Sequence, residues 1–319
     1  MRAVVQDRYG PPEVLRIEEV ERPVPKDDEV LIRIRASTVS QTDTHARAAH
    51  PFFWRLIAGV RRPRWRTLGV ELAGEVEAVG SAVRGFRVGD QVFGSLWFGA
   101  HAEFICMSQT AALALKPEGV SFEEAAAIYD GASQALSALR QAETAPGRRI
   151  LIYGASGSLG SAAVQIAKHQ GAHVTAVCGT DHVELARSLG ADEVIDYRTE
   201  DFTKNGQTYD AIIDAVGKYA FRWGRRSIRP GGVFVATDGG PRPLEMFVAA
   251  VATRWVGSRR VKFASGRKIR DDALYLKQLV ESGAYRPVID RVYPMRQVAD
   301  AHRHVETWHK TGNVVLTID

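Results

Sequence analysis

The feature that most constrains this chain is the run Arg149-Ile150-Leu151-Ile152-Tyr153-Gly154-Ala155-Ser156-Gly157-Ser158-Leu159-Gly160. A short apolar stretch ends in a glycine turn and a helix follows. Its apolar residues recur at Leu159, Ala162, Ala163, Ile166 and Ala167, the spacing of one helix face. Gly171 is placed to end that helix, because glycine best tolerates the left-handed cap. N–H groups at a helix N-terminus carry partial positive charge, and glycines let a phosphate approach the backbone closely. The glycines stand as G-x-x-G-x-x-G. Gly154 is assigned to the turn, Gly157 to the backbone approach and Gly160 to the packing of helix on sheet. His173-Val174-Thr175-Ala176-Val177-Cys178 then reads as a second strand. The complete strand–helix–strand unit turns a glycine-rich loop into a nucleotide-binding element.

The 319 residues, 45% hydrophobic and 25% charged, suffice for two domains with ample core. Met1-Arg2-Ala3-Val4-Val5 enters a strand directly, without a signal-peptide pattern. The longest apolar segment, 244–256, is interrupted by Arg254 and is too short to span a bilayer. The two cysteines, Cys106 and Cys178, form no zinc loop or disulfide framework and suit buried thiols in a reducing cytoplasm. A cytoplasmic protein without a membrane partner is expected. The net charge of +5 favours anionic partners. Its basic clusters, at 61–66, 222–229 and 259–262, lie in separate segments without a nucleic-acid module, so nucleic acid is disfavoured.

Residues 1–120 are strand-rich. Val30-Leu31-Ile32-Arg33-Ile34-Arg35-Ala36 alternates apolar and basic residues as a half-buried strand does, and short β segments are expected within 69–80 and 88–94. The aromatic stretch His50-Pro51-Phe52-Phe53-Trp54 and the following Arg61-Arg62-Pro63-Arg64-Trp65-Arg66 read as the wall of a cleft, with a membrane-touching amphipathic piece as the alternative. From Ser121 helices and strands alternate. Ser121-Phe122-Glu123-Glu124 is a capping box for a helix over 125–139, with a break near Gly131. Asp181 is expected to cap a helix ending at Gly190. Strands follow at 194–196, 209–214, 233–237 (after the Pro230-Gly231-Gly232 turn) and 260–264. These predict an α/β fold with a doubly wound parallel sheet. Helices over 269–282 and 295–309 and strands at 288–292 and 313–318 complete the chain.

Assembled in this order, Gly69-Val70-Glu71-Leu72-Ala73-Gly74-Glu75-Val76, Val88-Gly89-Asp90-Gln91-Val92, the glycine loop, Leu189-Gly190-Ala191-Asp192 and Arg229-Pro230-Gly231-Gly232 resemble the medium-chain dehydrogenase/reductases of the zinc-independent quinone oxidoreductase (zeta-crystallin-like) type. The resemblance implies a GroES-like β-rich catalytic domain from 1–120 and 288–319. It implies a Rossmann NADP-binding domain from 121–287, with the active site in the cleft where they meet. Positions matching the catalytic zinc ligands of related alcohol dehydrogenases read Ser40, Val70 and Asp130, and the structural-zinc cysteines have no counterpart. One carboxylate cannot supply the three ligands that a catalytic zinc needs, so no zinc is expected.

The resemblance implies NADPH-dependent reduction of an activated double bond (an enone) or a quinone by hydride transfer. The cofactor is expected along Gly154, Ala155, Ser156, Gly157, Ser158, Leu159 and Gly160. NADPH is preferred to NADH because Gly179 and Thr180 stand near the end of the second strand, where an NAD enzyme places an acid. Tyr197 matches a residue that contacts the 2′-phosphate in similar reductases, and Arg198 adds charge. Asp238, with Gly239 and Gly240, and Asn313 match further cofactor contacts. Candidate catalytic residues are Tyr129 as proton or hydrogen-bond donor and Asp130 as orienting group or acid. Ser40, Thr42 and His45 match a hydroxyl–histidine relay, and His101 is a weaker candidate. The alternatives are a zinc-free ketone reductase or alcohol dehydrogenase, and a nucleotide-binding sensor or RNA- or partner-binding protein with little catalysis. A small carbonyl, enone or quinone substrate and a homodimer complete the expectation, with the apolar segment 244–256 either the dimer face, as in similar reductases, or core.

Overall fold

The computed structural model describes residues 1–52, 54–238, 242–266 and 268–318. Phe53 of the aromatic stretch and Gly239 and Gly240 after the fifth strand lie outside the described residues. The chain divides into two compact units: Met1–Asp130 with Lys268–Ser282 and Pro287–Asp319, and Gly131–Arg267 with Gly283–Arg286.

The second unit is built on a six-stranded sheet, parallel throughout. Its strands run across the sheet as Glu193–Asp196, His173–Cys178, Arg149–Tyr153, Tyr209–Asp214, Ile228–Ala236 and Arg260–Phe263. The strand order reverses between Arg149–Tyr153 and Tyr209–Asp214, and ligands of open α/β sheets bind at the carboxyl ends flanking such a point. The apolar runs are continuous because both faces of these strands are covered, with Ile150, Leu151, Ile152, Ile212, Ile213 and Phe234 fully buried. Pro230-Gly231-Gly232 does not precede the fifth strand: it lies inside Ile228–Ala236, where the register against Tyr209–Asp214 shifts. Glycine and proline are tolerated there as an irregularity of the ladder.

The first unit has a seven-stranded sheet around the long strand Glu29–Val39. Glu71–Val79 pairs along one side of that strand. On the other side, Phe104–Ser108 takes its N-terminal half and Asn313–Thr317 its C-terminal half, both antiparallel. Ile32 and Ile34 are buried while Arg33 faces solvent, the alternation the sequence predicts. Helix Arg270–Glu281 belongs to this unit and packs against Ala112–Leu115. In the aromatic stretch, Trp54–Ala58 is a short helix. Trp54 and Trp65 pack on the core, while Phe52, Leu56, Ile57 and Val60 are exposed.

Two local expectations concern helix starts. The helix after Ser121 is two helices, Phe122–Ala126 and Asp130–Gln141, with the break at 127–129, near Gly131 as expected. The Ser121 capping box itself is present, with both reciprocal bonds. Asp181 caps nothing: a 3-10 turn at Thr180–His182 leads into helix Val183–Ser188 without a side-chain cap, and Asp181 pairs with Arg198 at 3.3 Å. No helix among the described residues is long and apolar enough to cross a membrane.

Candidate active site

The glycine loop is shaped by three separate demands. Gly154 sits at φ +84°, where a Cβ would meet Val216 at 2.4 Å, so turn geometry and the neighbouring turn both require glycine. Gly160 packs so closely on the loop that a Cβ would stand 2.1 Å from the Gly154 carbonyl oxygen. Gly157 is the opposite case. Its φ is −76°, and a Cβ would meet nothing nearer than that same oxygen at 3.7 Å. Gly157 is also the N-cap of helix Ser158–His169 and provides no side-chain cap. The first N–H groups of that helix therefore face an open cradle, and the helix dipole favours an anion there. The cradle fits a pyrophosphate. Ala155 and Leu159 are buried beneath it and Ser156 and Ser158 half-buried, which divides the loop into packing and contact positions.

The end of the second strand carries mixed charge. A Cβ at Gly179 would lie 3.3 Å from the Tyr197 hydroxyl, so the glycine keeps Tyr197 close to the chain. The Tyr197 ring is 51% exposed and available to a ligand. The Thr180 hydroxyl donates to Asp196 Oδ2 at 2.5 Å, and the Arg198 N–H donates to Asp196 Oδ1 at 2.9 Å. These two bonds hold the Asp196 carboxyl below the usual carboxylate range. The Arg198 guanidinium lies against Asp181. One cation and two carboxylates thus surround the position where a ribose 2′-substituent is expected.

The next strand contributes a carboxylate missed from the sequence. Asp214 ends Tyr209–Asp214, is buried, and accepts the N–H groups of Val216 at 3.2 Å and Tyr219 at 2.8 Å. Burial pushes its pKa up to about 6 against the opposing pull of those bonds, and Asp238 adds a smaller upward push. Asp238 lies over Gly217, where a Cβ would be 1.9 Å from its Oδ2. The turn Asp214-Ala215-Val216-Gly217, ending in a glycine at φ +61°, was the available sequence signal.

In the first unit Tyr129 and Asp130 meet a carboxylate that sequence reasoning also missed. Glu71 is buried, with Oε1 accepting the N–H groups of Tyr129 at 3.0 Å and Asp130 at 2.5 Å, and Oε2 accepting the Thr38 hydroxyl at 2.7 Å. Burial first, and Asp130 second, raise its pKa well above the carboxylate range. Lys268 and Lys310, each half-buried with a lowered pKa dominated by desolvation, contribute the nearby positive charge. Lys268 donates to Ser95 Oγ at 2.9 Å and to the Leu96 carbonyl, and Lys310 donates to the Gly312 carbonyl. The signal for Glu71 was an acid in the otherwise apolar Gly69-Val70-Glu71-Leu72-Ala73.

The structure gives several predicted residues a structural occupation. The Tyr129 hydroxyl donates to the Ile269 carbonyl at 3.0 Å and accepts the Ile269 N–H at 2.9 Å, anchoring the start of helix Arg270–Glu281. The Ser40 hydroxyl donates to Asp43 Oδ2 at 2.7 Å and caps helix Gln41–Ala48, so its proton points to Asp43 rather than into a chain toward Thr42 and His45. Thr42 is half-buried on that helix. The His45 ring lies near Trp54 and Trp308, with centroids 6.1 and 6.2 Å away. The Asn313 amide donates to the carbonyls of Val288 at 3.1 Å and Ala127 at 3.5 Å. His101 is fully buried, its Nε2 2.9 Å from the Thr38 carbonyl oxygen. The Asp130 N–H donates to Glu71, and the Asp130 charge acts on both Lys268 and Lys310. Among the described residues no three His, Cys, Asp or Glu side chains are grouped to hold a metal.

Comparison with known proteins identifies the relatives of this chain. A family model described as an alcohol dehydrogenase GroES-like domain matches residues 26–135, and one described as a zinc-binding dehydrogenase matches 189–316. The chloroplastic NADPH-dependent alkenal/one oxidoreductase of Arabidopsis thaliana is 32% identical over 99% of this chain and 79% of that protein. A chloroplastic quinone-oxidoreductase homolog of Spinacia oleracea is 31% identical over 99% of this chain and 98% of its own length. The quinone oxidoreductase of Coxiella burnetii superposes with a TM-score of 0.88 at 28% identity, covering 100% of this chain and 99% of the other. The chain belongs to the medium-chain dehydrogenase/reductase family, among its quinone-oxidoreductase-like members.

Proposed function

We propose that the protein is an NADPH-dependent, zinc-independent reductase acting on an activated double bond, as in an enone, or on a quinone. The observation that carries this reading is the open cradle at Gly157 before an uncapped helix N-terminus. The names of the relatives, an alkenal/one oxidoreductase and quinone oxidoreductases, support the substrate class. When bound, the dinucleotide supplies the hydride. The chain's own part is to hold it: backbone N–H groups of Ser156, Ser158 and Leu159 at the pyrophosphate, and Gly179, Tyr197 and Arg198 at the 2′-phosphate. The Val70 side chain has no atom that can ligate a metal, which supports a mechanism without zinc. Asp130, held beside Glu71 through its N–H, is assigned as the orienting group or acid, while the bonds of Tyr129 support a positioning role.

A specific observation favours NADH as the second reading. Asp181 and Asp196 flank the 2′-position, and a carboxylate there binds a ribose hydroxyl. Fluorescence titration with both nucleotides decides between them. We expect tighter NADPH binding, with Arg198→Ala weakening NADPH about tenfold, the scale of one charged hydrogen bond, and leaving NADH unchanged. Equal affinities that ignore Arg198 would remove the 2′-phosphate assignment. Stopped-flow mixing of the NADPH complex with a quinone and an enone then tests the chemistry: no oxidation by either removes the reductase reading.

We further assign a homodimer, in a reducing cytoplasm. Helix Pro243–Ala252 and its continuation leave Leu244, Phe247, Val248, Trp255 and Val256 exposed, beside the sheet-edge strand Arg260–Phe263. An apolar face of this kind suits a second copy of the chain. Cys178, buried with its thiol pushed up to about 11 by desolvation, and half-buried Cys106 are free thiols that suit a reducing compartment.

A further inference from the structure

The arginine run that the reductase reading leaves unused forms a built groove. The Tyr9 hydroxyl donates to the Gly59 carbonyl at 2.6 Å, and the Arg64 N–H donates to the Ala58 carbonyl at 2.6 Å, pinning the loop that carries the run. Gly59 sits at φ +119°, where a Cβ would stand 2.2 Å from the Arg62 carbonyl oxygen, so the turn requires glycine. With the N-terminal segment this loop encloses an open groove of about 700 Å³ lined by Asp7, Arg8, Arg61, Arg62, Pro63 and Arg66.

The charges in the groove are unbalanced. Asp7 already pairs with Arg16 and with Arg66 Nε at 2.8 Å, which hold its carboxyl below the usual range. Arg66 also reaches Glu18 at 3.1 Å. Among the described residues, no carboxylate pairs with Arg8, Arg61 or Arg62, and all three are exposed. Three guanidinium groups around one concavity repel one another until an anion bridges them. Their planar forks match phosphate oxygens in paired hydrogen bonds, and the volume is that of a small-molecule pocket.

We propose that this groove binds a soluble phosphate ester with two or more phosphate groups, such as a nucleoside diphosphate, at a site separate from the glycine loop. Its concave, charged lining suits a small polyanion better than a flat lipid surface. Exposed Leu56, Ile57 and Val60 nearby make an anionic bilayer the rival to be tested.

The test is calorimetric titration of the full chain at low salt with inorganic pyrophosphate and with ADP. We expect saturable binding that weakens about tenfold or more for each arginine removed in Arg61→Ala and Arg8→Ala, with Arg61→Lys intermediate because it keeps charge without the fork. NADPH fluorescence titration should be unchanged in these variants, which also reports that they fold. Wild-type binding that is absent, or that the arginine variants leave unaltered, overturns the proposal. So does arginine-dependent cosedimentation with phosphatidylglycerol vesicles that pyrophosphate does not displace. None of these readouts uses reduction, so failure here leaves the reductase reading standing, and the converse holds.

Discussion

Single residues divide the glycine loop between folding and binding. Gly160 is needed for packing, because a Cβ would collide with the Gly154 carbonyl, whereas Gly157 has room. Gly160→Ala should therefore destabilise the protein by about 2 kcal/mol or more through backbone overpacking. Gly157→Ala should stay within about 0.5 kcal/mol of wild type yet weaken the dinucleotide by filling the cradle. Urea unfolding beside nucleotide titration separates the two effects, and equal stability losses would contradict this division. Asp214 is the residue whose environment sets a pH dependence. Its folded pKa, about 6, lies above the ordinary 3.8, so its contribution is fully present below 3.8 and lost as pH rises through 6. Asp214→Asn removes that titration. The variant should gain about 3 kcal/mol relative to wild type between pH 4 and 7. Urea unfolding across this range checks it, and a pH-independent difference would mean the carboxylate is already ionised at pH 4.

At the scale of elements, the break between helices Phe122–Ala126 and Asp130–Gln141 is held from outside. Glu71, far away in sequence, accepts the N–H groups of Tyr129 and Asp130. Truncation in Glu71→Ala leaves two buried donors and the Thr38 hydroxyl without their acceptor, at a cost of about 3 kcal/mol or more. Glu71→Gln keeps an oxygen for both N–H groups, and its amide can donate to Thr38 Oγ1. It also removes a carboxylate whose charged form is disfavoured by burial, so its loss should be below about 1 kcal/mol. Chemical denaturation of the pair measures this, and similar losses would mean the negative charge itself holds the break. A break near Gly131 was legible in the sequence, since glycine has low helix propensity. The acceptor on another strand that holds it was not, because no local pattern reveals it.

For the whole molecule, the apolar face of helix Pro243–Ala252 carries the dimer assignment. Leu244→Glu with Phe247→Glu should convert a dimer to a monomer in light scattering while leaving thermal unfolding cooperative. A wild-type monomer at micromolar concentration would remove the assignment. The segment's hydrophobicity was readable in the sequence; its exposure was not, since core and interface stretches have the same composition. Helix Arg270–Glu281 likewise follows from periodicity, but its place beside Ala112–Leu115 depends on contacts between segments far apart in the chain.

What the sequence determined by itself is what depends on neighbours along the chain. Strand and helix periods, the Ser121 capping box and the glycine loop were all legible, because backbone sterics and local hydrogen bonds act over a few residues. Tertiary structure decided the partners. It bound the Tyr129 hydroxyl to Ile269, directed the Ser40 proton to Asp43 and paired Asp181 with Arg198. It also buried Glu71 and Asp214 where desolvation raises their pKa values. A side chain's proton and charge depend on which distant atoms surround it, and folding alone brings those atoms together.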